Sequence, residues 1–124
     1  VIYLDTHVLI YLWLADTGKL SRDARKAIER NDVMASAATV LEMEMLHEIG
    51  RLKPSASTVI YGLAGSIGLR VCDLPFRTVV DFALAEGWTR DPFDRMIVAN
   101  AKVAHAPLIT RDQRIAEHYS RVVW

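Results

Sequence analysis

Four acidic residues in this 124-residue chain, Asp5, Glu42, Asp94 and Asp112, stand where a packed α/β domain would otherwise place apolar side chains. Asp5 ends the apolar run Val1-Ile2-Tyr3-Leu4, and Asp112 comes just after the run Pro107-Leu108-Ile109-Thr110. Glu42 interrupts the apolar stripe of one helical segment, and Asp94 falls in the first turn of another. A single acid at any of these places is ordinary. Four that converge in one pocket repel, because two like charges about 4 Å apart cost on the order of 4 kcal/mol even at an effective dielectric near 20. A divalent cation removes that cost, so a fold that gathers these acids is expected to hold a metal ion.

Each acid also has a structural explanation. Asp5 and Thr6 sit where a strand gives way to a helix, and a helix N-terminus wants an acidic or hydroxyl acceptor. The same strand end is where open α/β sheets bind ligands. At 100° per residue Glu42 falls between Ala38, Met45, Leu46 and Ile49, inside the expected buried stripe. A carboxylate there is costly unless it is paired, protonated or metal-bound, and an ion pair with an arginine is the alternative to a ligand role. Glu44 and Glu48 fall elsewhere on that helix and are expected to be solvated. In Arg90-Asp91-Pro92-Phe93-Asp94-Arg95, Asp91 has the place of an N-cap and Pro92 that of the first helical residue. Asp94 lies at the edge of the apolar face beside Val98 and Ala101, with Arg95 and Lys102 on the opposite, solvated side. Asp91 therefore reads as a cap and supporting residue, and Asp94 as a ligand. Asp112 either caps the short helix after it or mirrors Asp5 as a second strand-end ligand.

The remaining reactive side chains are less pointed. Cys72, alone in the chain and set among Leu69, Val71 and Leu74, reads as a buried strand thiol; it excludes a disulfide framework and a cysteine zinc site. His7, His47, His105 and His118 show no zinc-binding spacing and read as structural, with only His7 close to an acid. Asn100 shares a buried side with Phe93 and Ile97, so it must find a hydrogen-bond partner. Arg90, Arg95, Arg111 and Arg114 cluster around the two C-terminal acids and could contact phosphates or a protein partner. Trp88 could stack on a base, although packing is the ordinary use of such a ring. Val40 and Met43 fall on the outer side of their helix and could meet a partner.

Strand-like and helix-like segments alternate along the chain, which predicts βα units and a parallel sheet. Strands are expected at 1–4, 33–35, 69–72, 107–110 and 122–124. Helices are expected over 8–14, 22–30 behind Ser21 as N-cap, 37–49 closed by Gly50, 55–67, 76–85, 92–105 and 113–118. No repeat or linker divides the chain, so a single three-layer α/β/α domain over 1–124, with about five short, mostly parallel strands, is expected. Hydrophobic residues at 52% and charged residues at 24% fit a globular chain. No apolar run approaches the roughly 18 residues of a membrane span, and no basic leader precedes the run over 8–15, so a cytoplasmic protein without a membrane partner is expected. Fifteen basic and fifteen acidic residues cancel. Sequestering four acids leaves a basic excess of about four on the remaining surface, which permits a polyanionic substrate.

At the level of motifs, the chain resembles the PIN domains, most closely the VapC-like ribonuclease toxins of bacterial toxin–antitoxin pairs. Tyr3-Leu4-Asp5-Thr6-His7-Val8-Leu9 is similar to the family's opening motif, and Ser36-Ala37-Ala38-Thr39-Val40-Leu41-Glu42 to the segment carrying its second acid. The block from Arg90 through Asp94 to Ala99, then Leu108-Ile109-Thr110-Arg111-Asp112, are similar to the last two motifs, and Val122-Val123-Trp124 resembles the family's end. Two departures stand out: Thr89 occupies a place where many relatives have histidine, and Val40-Leu41 a place where an aromatic is common. The resemblance implies metal ligands at Asp5, Glu42, Asp94 and Asp112, with Thr6 and Thr110 in support. It also implies RNA cleavage leaving a 5′-phosphate and a 3′-hydroxyl, a cognate antitoxin, and a homodimer or toxin–antitoxin hetero-oligomer.

Oxygen-only ligands suit Mg²⁺ or Mn²⁺. A metal-dependent endoribonuclease is therefore the leading expectation. The alternatives are a Mg²⁺-dependent phosphoryl-transfer domain and a non-catalytic PIN-like binding module. A dehalogenase-like phosphatase would want an acid where His7 stands, and a phospho-receiver a lysine where Arg111 stands.

Overall fold

Short runs of Ile, Leu and Val buried on both faces are the material of a parallel sheet, and the computed structural model, which describes all of Val1–Trp124, contains one. Its strands are β1 (Ile2–Leu4), β2 (Val33–Ala35), β3 (Arg70–Val71), β4 (Leu108–Ile109) and β5 (Val122–Val123). They lie in the order β3-β2-β1-β4-β5, with every neighbouring pair parallel. The helices are α1 (Thr6–Trp13), α2 (Arg22–Arg30), α3 (Ala37–Glu48), α4 (Ala56–Ile67), α5 (Phe76–Ala83), α6 (Pro92–Val103) and α7 (Gln113–His118), with one 3-10 turn at Thr17–Lys19 that the sequence reading did not anticipate.

The two-residue period of the strands sorts the core into two layers. Ile2, Leu4, Val33, Ala35 and Ile109 face a cluster containing Val8 and Leu9 of α1, Met43 of α3 and Val59 of α4. Tyr3 and Leu108 face the other side, with Ile97, Val98 and Ala101 of α6 and Ile115 of α7. Three layers follow directly. The order of strands reverses between β1 and β4, and a crevice outside the carboxyl ends of the strands at such a switch point is where open α/β sheets bind ligands. This order also differs from the 2-1-3-4-5 order of receiver-like domains.

Helix starts follow local chemistry. Ser21, Ser36, Ser55, Asp91 and Asp112 each cap a helix through a side-chain oxygen, as their residue types allow. At the far end of α3, Gly50 takes a positive φ of 80°, which glycine adopts at low cost.

Helix α3 corrects the wheel. Its apolar residues run nearly all round, so periodicity does not choose a face. Thr39 and Met43 are fully buried, and Val40 and Leu46 pack against the core, whereas Leu41, Met45 and Ile49 are exposed. Met43 and Val40 are thus core residues rather than a partner surface, and Glu42 lies beside the core face instead of inside a stripe of Met45 and Ile49. Glu44 is half-buried rather than solvated, and its Oε1 accepts from Ala56 N at 3.0 Å at the start of α4.

Candidate metal centre

Parallel pairing of β1 with β4 places Leu4 beside Ile109, so the two chains leave the sheet side by side with Asp5 and Thr110 next in line. Asp5 is 5% exposed and caps α1: its Oδ1 accepts from Thr6 N at 2.7 Å, and its Oδ2 accepts from Thr110 Oγ1 at 2.6 Å. Thr110 Oγ1 in turn accepts from Asp112 N at 3.1 Å. Asp112 caps α7 through Oδ1, which accepts from Arg114 N and Ile115 N. On the other flank Thr6 Oγ1 donates to Glu42 Oε1 and contacts Thr39 Oγ1 at 3.3 Å. One hydrogen-bonded line therefore runs Glu42, Thr6, Asp5, Thr110, Asp112. Each acid keeps an oxygen uncommitted to a helix cap or neighbouring hydroxyl, apart from Asp5.

Asp94 joins them through charge. Its carboxyl is pushed from the usual 3.8 up to about 7, first by burial and then by the negative charges of Asp91, Asp5, Asp112 and Glu42. Glu42 is also raised, by burial and by Asp5 and Asp91, against a lowering by the Thr6 hydroxyl. Asp94 thus feels the charge of the other three predicted acids, although no three of them stand close enough to grip one ion directly. Asp91 is the N-cap foreseen, its Oδ1 accepting from Phe93 N at 2.8 Å.

No basic side chain neutralises this cluster. Arg90 Nη1 donates to Gly87 O, Arg95 Nε to Thr89 O, Arg114 Nη2 to Trp88 O, and Arg111 Nη1 to Tyr11 Oη. None of these four arginines forms an ion pair with an acid. Glu42 accordingly lacks the arginine partner that was its structural alternative. His7 Nδ1 lies 3.4 Å from Asp5 Oδ2 while its Nε2 accepts from Arg111 N at 3.3 Å. Burial holds the imidazole below its usual pKa, so the neutral tautomer with hydrogen on Nδ1 satisfies both contacts.

Trp88 is a packing residue. Its ring stacks on His118 at 4.8 Å and 6°, lies near the Arg114 guanidinium, and donates from Nε1 to Glu86 Oε2 at 2.6 Å. Arg95 is half-buried and Lys102 pairs with Glu86, so neither belongs to a solvated face. Glu86 was missed. It is 2% exposed, outside any helix, and carries no periodic signal that could have marked it. Thr39 was also missed, although a hydroxyl three residues before Glu42 on the same helix could have been noticed. Asn100 is structural as expected: it accepts from Ser36 Oγ at 2.6 Å and donates toward Cys72 Sγ at 3.3 Å.

As a metal site, the donor set is all oxygen and its charges are uncompensated. No three His, Cys, Asp or Glu side chains stand close enough to chelate an ion by themselves. That suits a weakly held hydrated ion such as Mg²⁺, which uses one or two carboxylates and keeps several waters, and does not suit a caged zinc. Beside the cleft lies an apolar groove of about 480 Å³ between α3, α5 and α6, lined by Leu41, Leu74, Phe76, Phe93 and Met96 among others.

Known proteins are similar to this chain in sequence or in fold. Ribonuclease VapC22 of Mycobacterium tuberculosis is 31% identical over 119 residues, covering 94% of this chain and 91% of that protein. Among solved structures, a toxin-antitoxin complex from Klebsiella pneumoniae matches with a TM-score of 0.65 at 19% identity, covering 100% of this chain and 97% of the other. VapBC2 from Rickettsia felis, bound to a DNA fragment from its promoter, matches with a TM-score of 0.72 at 14% identity, covering 100% and 98%. The model of the PIN domain family matches residues 2–120, and the chain belongs to that family.

Proposed function

We propose that this protein is a Mg²⁺- or Mn²⁺-dependent endoribonuclease, a VapC-like toxin held inactive by a cognate antitoxin. The observation that carries the reading is the set of four carboxylates at the sheet's switch point with no lysine or arginine among them. Asp5, Glu42, Asp94 and Asp112 would hold the ion, which when bound supplies water activation and charge stabilisation at a phosphate. The protein's own contribution is positional. Thr6 fixes Glu42 and Thr110 fixes Asp5, so two acids from distant segments keep one orientation. Asp91 ties down the first turn of α6 and so places Asp94. Asp94, raised to about 7, is only partly ionised near neutral pH, and a bound cation would favour its ionised form.

Relatives support the same reading: one is named a ribonuclease, and both solved neighbours come from toxin–antitoxin assemblies. An antitoxin partner, with a homodimer or hetero-oligomer, is in keeping with the apolar groove beside the cleft, where Leu41 and Phe76 are 57% and 75% exposed. A non-catalytic module would have no use for four uncompensated acids. No helix is long and apolar enough to cross a membrane.

The test is cleavage of structured and unstructured RNA with Mg²⁺, with Mn²⁺ and with chelator. Products bearing 5′-phosphate and 3′-hydroxyl ends, formed only with a divalent ion, are expected. Cleavage that survives chelation, or none with either ion, would sink the reading.

A further inference from the structure

Arg111 is the one arginine at the cleft whose guanidinium is held by a side chain instead of a main-chain carbonyl. It immediately precedes Asp112, and its side chain is exposed. Coulomb attraction alone would draw a free guanidinium onto a neighbouring carboxylate, yet Arg111 pairs with none. Two contacts account for this. Its Nη1 donates to Tyr11 Oη at 3.1 Å, and its main-chain N–H donates to His7 Nε2 at 3.3 Å. His7 and Tyr11 are one turn apart on α1, their rings 5.7 Å apart edge to face, and Tyr11 packs against the core. The clamp is therefore rigid where it meets the fold and open where it meets solvent. An exposed hydrogen bond of this kind adds little stability, so its consequence lies in where it leaves the guanidinium: held at Tyr11 and unpaired with any acid, with its remaining donors free.

We propose that Arg111, positioned by Tyr11 and His7, binds an RNA backbone phosphate next to the one presented to the acids, on the β4–β5 side of the cleft. The proposal rests on the nuclease reading and adds a substrate contact to it. A planar guanidinium fits phosphate in two-point fashion. Any strand laid across Asp5 and Asp112 carries a phosphate on each nucleotide, so an arginine adjacent in the chain to Asp112 meets one without further recognition. An acidic peptide would have to bring its own specific register.

The full-length chain tests this with a labelled oligoribonucleotide, binding being read by fluorescence polarisation in Ca²⁺ and cleavage in Mg²⁺. Arg111→Ala should raise Kd and KM about tenfold, the loss of one charged hydrogen-bonded contact, with kcat within about twofold. The slope of log K against log salt should flatten by about 0.7, one single-strand phosphate contact. Tyr11→Phe, which keeps the ring packing, should raise KM about threefold alone and add nothing to Arg111→Ala. Arg111→Lys should fall between Arg111→Ala and the parent. Mn²⁺ affinity by calorimetry and the melting temperature should not move in any of them. An unchanged RNA Kd and salt slope in Arg111→Ala overturns the proposal. So does a Tyr11→Phe effect that persists without Arg111, or an Arg111→Ala effect confined to the antitoxin complex. A parent protein that binds RNA but cleaves none refutes the nuclease reading alone, since the Arg111 effect on Kd still decides the contact; one that binds no RNA refutes both.

Discussion

Glu86 on one side and Asp5, Glu42, Asp94 and Asp112 on the other are withdrawn carboxylates that this molecule treats in opposite ways. Glu86 is 2% exposed, and the protein answers it fully, with Lys102 Nζ on one oxygen and Trp88 Nε1 on the other. Asp5, Glu42 and Asp112 receive only neutral donors, hydroxyls, main-chain N–H groups and the His7 imidazole, and the Asp94 carboxyl receives none, although four arginines lie close to Asp94 and Asp112 in sequence. The fold evidently has the means to neutralise a buried acid. Where it withholds them, a proton or a cation must offset the charge, and the proposed divalent ion would do so. The comparison also explains why burial alone is a poor guide to function: the more deeply buried acid is the structural one.

Several measurements would break that contrast or sharpen it, and the largest effect concerns activity. Asp94→Asn should abolish Mg²⁺-dependent RNA cleavage, by about 100- to 1,000-fold or more, while the melting temperature without metal stays level or rises as repulsion is relieved. Asp5→Asn should be equally inactive but less stable, because Asp5 is a buried cap with hydrogen bonds on both oxygens. Retained cleavage in Asp94→Asn would remove the functional half of the contrast.

Breaking the structural pair should show the reverse pattern. Lys102→Met strands Glu86 in the core and should cost about 3–5 kcal/mol in denaturant unfolding. Adding Glu86→Gln to it should restore much of that loss, without changing Mn²⁺ affinity. A wild-type-like unfolding curve for Lys102→Met would show the pair to be ornamental.

Thr6→Val removes the hydroxyl that orients Glu42 and is expected to weaken Mn²⁺ binding about 10- to 100-fold. Calorimetric titration checks it, and unchanged affinity would take Glu42 out of the ligand set.

The smallest effect is on pH. Asp94 titrates near 7 when folded against 3.8 ordinarily, so its ionisation disfavours the folded state, and metal-free stability should fall as pH rises from about 4 through 7. Glu42, also raised, acts in the same sense. His7, held below its usual value, favours folding as pH rises and opposes them in part of that window. The difference between the parent and Asp94→Asn isolates the Asp94 contribution, expected as a few degrees in melting temperature. Saturating Mn²⁺ should abolish it; a difference that persists with metal would place Asp94 outside the site.

Much of this was legible beforehand because it depends on neighbours in sequence. Strand and helix positions were read to within a few residues, since caps at Ser21, Ser55, Asp91 and Asp112 and the stop at Gly50 are local chemistry. Where periodicity was ambiguous, as on α3, the wheel chose the wrong face and exposed Met43 instead of Met45. Lys102 was misread for a related reason: a helical wheel records which side a residue faces, not what another segment brings to meet it.

What the chain by itself determined, then, is its alternation of short apolar strands with capped helices and three of its four acids at strand ends or helix starts, because each follows from contacts spanning one helical turn or one strand. The tertiary structure alone decided the partners. Only packing β1 against β4 joins Thr110 to Asp5 across 105 positions, and only the approach of α3 to α1 joins Thr6 to Glu42 across 36. Only it gave the arginines partners other than the acids. Those choices rest on contacts between segments far apart in the chain, and the balance of charge in a cleft is settled by which of them form.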